Sequence, residues 1–204
     1  MAGPITSLLF DTISPSWVWD EIVSDILKVS EKMEGNDFFV SSTVPINGSA
    51  ISVDKRKITI EKYIIDSNSD NYTPEELINI KKAIGFSPKF VLNLYACSNK
   101  DIDHTILGEL SLIWAEKFKG IIDFGGAIYP YNSLPEEMKK GMWLWEKANW
   151  IDIKPYFDEM IQSINGKIFT IEYDIDNHRN WVFHLCDAKF MKNWLKNPNY
   201  RLIK

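Results

Sequence analysis

Two pairs of apolar runs in this chain are joined by turns too short to hold a helix, while other such runs are separated by helix-length segments. Residues 51–53 and 57–65 read as one hairpin around Asp54-Lys55-Arg56, and residues 167–175 with 181–186 as a second across DNHRN. A tight hairpin forces its strands antiparallel, whereas a doubly wound parallel sheet needs a long crossover between neighbours. The mixture implies an α+β fold: one domain over residues 1–204, a mainly antiparallel or mixed sheet, and helices packed on it. No Pro/Gly/Ser-rich linker divides the 204 residues, and 45% of them are hydrophobic, so a single substantial core is expected.

Local signals place the other elements. Residues 5–10 read as a first strand. Ser14-Pro15 supplies a capping hydroxyl and a residue preset for a first helical turn, ahead of Val18, Ile22, Ile26 and Val29 at helical spacing. That helix is expected over 17–33, ending before Gly35, with a strand over 37–43. Thr73-Pro74-Glu75-Glu76 carries a capping box, and Gly85 a stop, for a helix leading into the apolar strand 90–97. Asp101 or Asp103 opens a helix with Ile106, Leu110, Ile113, Trp114 and Phe118 on one face, closed at Gly120. A strand over 121–128 is interrupted by Gly125-Gly126, a pattern that fits a bulge or a close backbone approach. Helices then start at Pro135 and Pro155, and Asp187 caps a last one bearing Phe190, Met191, Trp194 and Leu195.

Few residues carry a chemical signal. There is no GxxxxGK[ST], no GxGxxG after a strand and no GxSxG, so neither a phosphate loop nor a nucleophile elbow is implied. Asp101 and Asp103 beside His104, and Asp174 and Asp176 beside His178, have conformational reasons to sit at a helix start and a hairpin turn. No metal and no cofactor is expected from them. Trp143, Trp145 and Trp150 read as a core plug before a stacking surface, and Trp181, Phe183 and Leu185 as a core face. Cys97 and Cys186 lie in apolar runs and read as reduced core thiols. An enzymatic alternative assembles a site around His184, Cys186 and Asp187, since His184 and Cys186 share one face of a strand. It requires those side chains to reach a concave pocket. A third alternative is a housekeeping protein-interaction module, dimeric through a sheet edge.

Charge points outward. The formal net charge of −5 argues against a nucleic-acid binder. Residues 101–166 hold 11 acids and 6 bases, whereas residues 167–204 hold 4 acids and 7 bases. Asp101, Asp103, Glu109, Glu116, Glu136, Glu137, Asp158 and Glu159 are expected to be exposed on the central helices, where they offer a candidate surface for a basic partner. The N-terminus lacks a basic n-region, its apolar run is broken by Asp11, and no apolar stretch approaches membrane-spanning length. A cytoplasmic protein without membrane association is expected.

The C-terminal pattern WVFHLCDAKFMKNWLKNPNYRLIK is an aromatic strand, a capped short helix and a basic tail. Together with WAEKFKGIIDFGGAI upstream, it resembles an uncharacterised bacterial family of small acidic α+β proteins. Such proteins are similar in style to the immunity proteins of bacterial polymorphic-toxin systems. The resemblance implies a non-enzymatic, intracellular protein that neutralises a cognate toxin by direct binding, with a basic toxin domain as its partner. It implies no oligomeric state.

Overall fold

A computed structural model describes residues 3–12, 16–40, 44–46, 49–51, 55–65, 72–141, 150–176 and 179–202. The chain begins β1 (Ile5–Phe10), α1 (Ser16–Val29), β2 (Ser30–Glu34) and β3 (Asp37–Val40). It continues β4 (Val44–Ile46), β5 (Ser49–Ile51), β6 (Arg56–Ile64), α2 (Pro74–Ile84), β7 (Phe90–Ala96) and α3 (Asp101–Phe118). Then come β8 (Ile121–Asp123), a 3-10 turn at Tyr131–Ser133, α4 (Glu136–Gly141) and α5 (Trp150–Ile161). β9 (Ile168–Asp176), β10 (Arg179–Cys186) and α6 (Ala188–Trp194) complete it. Eight strands form one sheet in the order β2-β3-β6-β7-β1-β8-β10-β9, with every neighbouring pair antiparallel. The fold is α+β and a single domain, since the first and last strands share that sheet.

Period-two alternation sends successive side chains to opposite faces, and each face has its own core. Leu8, Phe10, Ile58, Ile60, Leu92, Leu94 and Ile122 point to one side, where α1, α3 and α6 bury Ile22, Ile26, Leu107, Trp114, Phe190 and Trp194 against them. Leu9, Val91, Ile171, Phe183 and Leu185 point to the other side, where α2 contributes Ile80. α2 is the one long helix on that second face among the described residues, and Asn79 Nδ2 fastens it to the Glu172 carbonyl of β9 at 2.9 Å.

Several elements form as their sequences imply. Thr73 Oγ1 accepts from Glu76 N at 3.2 Å, while the Glu76 carboxylate accepts from Thr73 N at 2.6 Å; Gly85 ends α2 at φ 89°. The Asp187 carboxylate accepts from Phe190 N at 2.7 Å and starts α6. Other elements differ. α1 stops at Val29, where the Ser30 hydroxyl donates to the Ile26 carbonyl at 3.0 Å, and Ser30–Glu34 turns into a strand paired with β3. The expected cap at Ser14-Pro15 and the end of the strand over 37–43 lie outside the described residues. Among the described residues the hairpin expected over 51–65 is not seen: Ile51 pairs with Val44 of β4, β6 lies between β3 and β7 in the large sheet, and residues 52–54 lie outside the described residues. α3 ends on Lys119 at φ 60°, leaving Gly120 packed under the Phe10 ring, where a Cβ would stand 2.7 Å from Phe10 Cε1. α5 begins at Trp150, so Pro155 is interior; burial of Ile153 and Phe157 beside it offsets the lost backbone hydrogen bond.

Candidate functional site

The eight central acids do not form one surface. Asp103 is buried, 2% exposed, contrary to expectation. It occupies the third position of α3, where its carboxylate accepts from Lys100 N at 2.9 Å and from the Ser98 hydroxyl, with Arg56 Nε 3.8 Å away. A carboxylate at that point satisfies unpaired amides and faces the positive end of the helix. Glu109 is also buried, 6% exposed, because α3 is enclosed by the sheet on one side and by α6 and the C-terminal segment on the other. The remaining exposed acids are largely neutralised locally. Asp101 pairs with Arg201 at 3.3 Å, Glu116 with Lys192 at 3.3 Å, Glu136 with Lys139 at 2.7 Å and Asp158 with Lys154 at 2.5 Å. Asp101 and Glu116 stand roughly 22 Å apart along α3. Glu137 and Glu159 are exposed on α4 and α5.

The enzymatic alternative around His184, Cys186 and Asp187 fails its own requirement. His184 and Cys186 are both 0% exposed, on the helix-rich side of β10. The His184 ring stacks on Phe157 at 4.4 Å, and its Nδ1 accepts from Ile128 N at 2.9 Å, so Nε2 carries the proton. Burial holds its pKa down to about 3 and pushes the Cys186 thiol well up, the reverse of an activated base and thiolate. The Asp187 carboxylate is committed to the α6 cap. Cys97, expected in the core, is exposed at the end of β7. Trp150 packs on Phe157 and His184, as a core plug would; Trp143 and Trp145 lie outside the described residues.

A different site lies on the opposite face. The register places Glu61 of β6 opposite Asn93 of β7, Asn93 opposite Ser7 of β1, and Ser7 opposite Asp123 of β8. Four strands spaced about 4.8 Å apart thus carry a polar row of roughly 14 Å. At its Asp123 end is a pocket of about 220 Å³ beside the start of α2, lined by Ser7, Asn93, Asp123, Tyr72, Glu76 and Tyr173 together with apolar neighbours. No lysine, arginine or histidine is among its described lining residues.

Asp123 is 5% exposed. The Tyr72 hydroxyl donates to its Oδ2 at 3.0 Å, and Gly125 N donates to its Oδ1 at 2.8 Å. The second bond closes a local turn in which Gly125 takes φ 71°, a conformation that costs glycine little. Burial raises the carboxyl pKa to about 6, and the nearby Glu76 charge adds to this, against the two hydrogen bonds. Burial and the Asp123 charge push the Tyr72 phenol up; burial and Glu76 do the same for Tyr173. Asn93 Nδ2 donates to the Tyr95 hydroxyl at 2.9 Å, while Asn93 Oδ1 is buried without a hydrogen-bond partner. Farther along, the Tyr63 hydroxyl donates to Glu61, whose bond is the main cause of that phenol's raised pKa. Lys57 shares this face but is held by Asp37 at 2.5 Å.

Chemically, this is a cluster of acceptors with no cation among its described lining residues. A buried carboxylate that has only neutral donors is stabilised by any cation brought to it. In the sequence Asp123 is one residue of an apolar strand. The local signal for it was Asp-Phe-Gly, a carboxylate two residues before a glycine at a strand end. Among the described residues no group of three or more His, Cys, Asp or Glu side chains could hold a metal ion, and no helix is long and apolar enough to cross a membrane.

Residues 2–204 match the model of a family of unknown function, DUF6368, and the chain belongs to that family. No curated protein and no solved structure matches it.

Proposed function

We propose that this DUF6368 member is a non-enzymatic intracellular binding protein, which docks a basic protein partner across the polar row of its sheet, as an immunity protein covers a cognate toxin. The observation that carries this reading is the register-aligned row Glu61, Asn93, Ser7 and Asp123, ending in a buried carboxylate with no basic group in the described lining of its pocket. Opposite charge speeds encounter and sets register, and the half-buried phenols Tyr63, Tyr72, Tyr95 and Tyr173 provide rigid contact area. The candidate acids on α3, α4 and α5 are poorer anchors, because most are already paired with lysine or arginine. Toxin domains that act on nucleic acid are commonly basic, which makes an acidic inhibitor of this kind chemically apt.

Co-expression with each adjacent-gene product tests the reading. The expected result is rescue from a toxic, basic product and a complex whose affinity falls with salt and with the variant Glu61→Lys. If no adjacent product is toxic or forms a complex, the reading is overturned.

A further inference from the structure

We infer that the pocket between α2 and strands β1, β7 and β8 is a guanidinium site, in which Asp123 and Asn93 receive the head group of an arginine presented by the basic partner. The inference rests on the binding reading above and assigns the chemistry of its anchor. Three independent features of the pocket converge on this ligand.

The first is the acceptor set. Asp123 has one neutral donor on each oxygen, and each carboxylate oxygen has a second lone pair. Asn93 Oδ1 lies in the same lining and is already stripped of water without a partner. A buried acceptor in that state is a standing cost that a donor from outside removes. Glu76 is partly committed, since its carboxylate closes the α2 capping box. A ligand that satisfies Asp123 and Asn93 together must present several donors in a fan. Guanidinium carries five in one plane, while an ammonium has three around a point.

The second is the wall. Tyr173 and Phe183 line the pocket and meet edge to face at 5.8 Å, and Tyr72 closes another side. A planar, weakly hydrated cation stacks on such rings at less desolvation cost than a compact ammonium. The third is charge. The described lining holds Asp123 and Glu76 and no basic side chain, so no lining residue competes with the incoming cation for these carboxylates. A free anion is disfavoured by the same groups.

The test uses the full chain and three small probes of similar size: ethylguanidinium, propylammonium and ethylurea. Amide and side-chain resonances are followed by nuclear magnetic resonance during titration. Ethylguanidinium should give saturable shifts at the Gly125 amide and the Asn93 side-chain amide, with a Kd of about millimolar for so few atoms. Propylammonium should bind several-fold more weakly and ethylurea should not saturate. Asp123→Asn should weaken ethylguanidinium at least tenfold, and Asn93→Leu several-fold, while both keep the dispersed spectrum of a folded chain.

Equal binding of ethylurea, no saturable shift with ethylguanidinium, or unchanged binding in a folded Asp123→Asn overturns the assignment. The two levels separate cleanly. A basic partner that binds wild type and Asp123→Asn alike overturns the guanidinium site and leaves protein docking standing. Saturable, Asp123-dependent guanidinium binding supports the site even where co-expression finds no partner and docking fails.

Discussion

Asp123 and His184 sit on opposite faces of the sheet, and their protons act on stability in opposite directions. Folding raises the Asp123 pKa from 3.8 to about 6, so the folded state holds its proton more tightly than the unfolded state does. Stability from this group is therefore lost as pH rises from about 4 to about 6, and the loss, roughly 3 kcal/mol at most, persists above that. Folding lowers the His184 pKa from 6.5 to about 3, so its contribution is present above about 6.5 and lost as pH falls toward 3. Asp123→Asn removes the first effect and keeps an acceptor for Gly125. Urea melts should show the variant more stable than wild type by up to about 3 kcal/mol near pH 8, and the difference closing near pH 4. Equal stabilities across the range would mean that burial does not hold the Asp123 pKa up. The two cysteines separate by exposure in the same way: a thiol reagent should modify Cys97 in the native protein, and Cys186 only at the rate of unfolding.

Among elements, α2 matters most to the pocket, because Tyr72 immediately precedes its cap and Glu76 lies in its first turn. Thr73→Ala deletes the hydroxyl half of the capping box and should cost about 1 kcal/mol in a denaturant melt. It should also perturb the Gly125 amide resonance through the Tyr72–Asp123 bond; an unperturbed amide would uncouple the helix start from the pocket. α2 was readable because its start, its stop and its capping acid all lie within a dozen residues. α6 was readable for the same reason, through Asp187. The end of α1 was not, since helical periodicity continues into Ser30–Glu34 and only β3, brought alongside in the fold, makes that segment a strand. Local turn signals place β6 in a hairpin, whereas its partners, β3 and β7, are chosen by sheet register. The strand expected over 121–128 ends at Asp123; beyond it the chain meets β10 through Phe124 N to the His184 carbonyl at 3.2 Å and His184 N to the Gly126 carbonyl at 3.1 Å. The glycine pair marked that irregularity correctly.

At the scale of the whole molecule, the sheet divides two kinds of surface. One face is sealed by α1, α3 and α6 over the larger core; on the other, among the described residues, α2 packs mainly against β9 and leaves the polar row at its edge. The net acidity legible in the sequence was real, but its location was not. The acids concentrated in residues 101–166 lie on helices where most of these carboxylates are spent on caps and lysine pairs. The residues that line the row come from positions 7, 61, 93 and 123, and only long-range strand pairing places them side by side. The carboxyl carbon of Asp123, followed by nuclear magnetic resonance across pH with and without saturating ethylguanidinium, probes that row at its anchor. The expected midpoint is about 6 in the free protein, moving to lower pH when the cation is bound. A midpoint in the ordinary carboxylate range that ethylguanidinium leaves in place would contradict both the buried carboxylate and the cation it is held to receive.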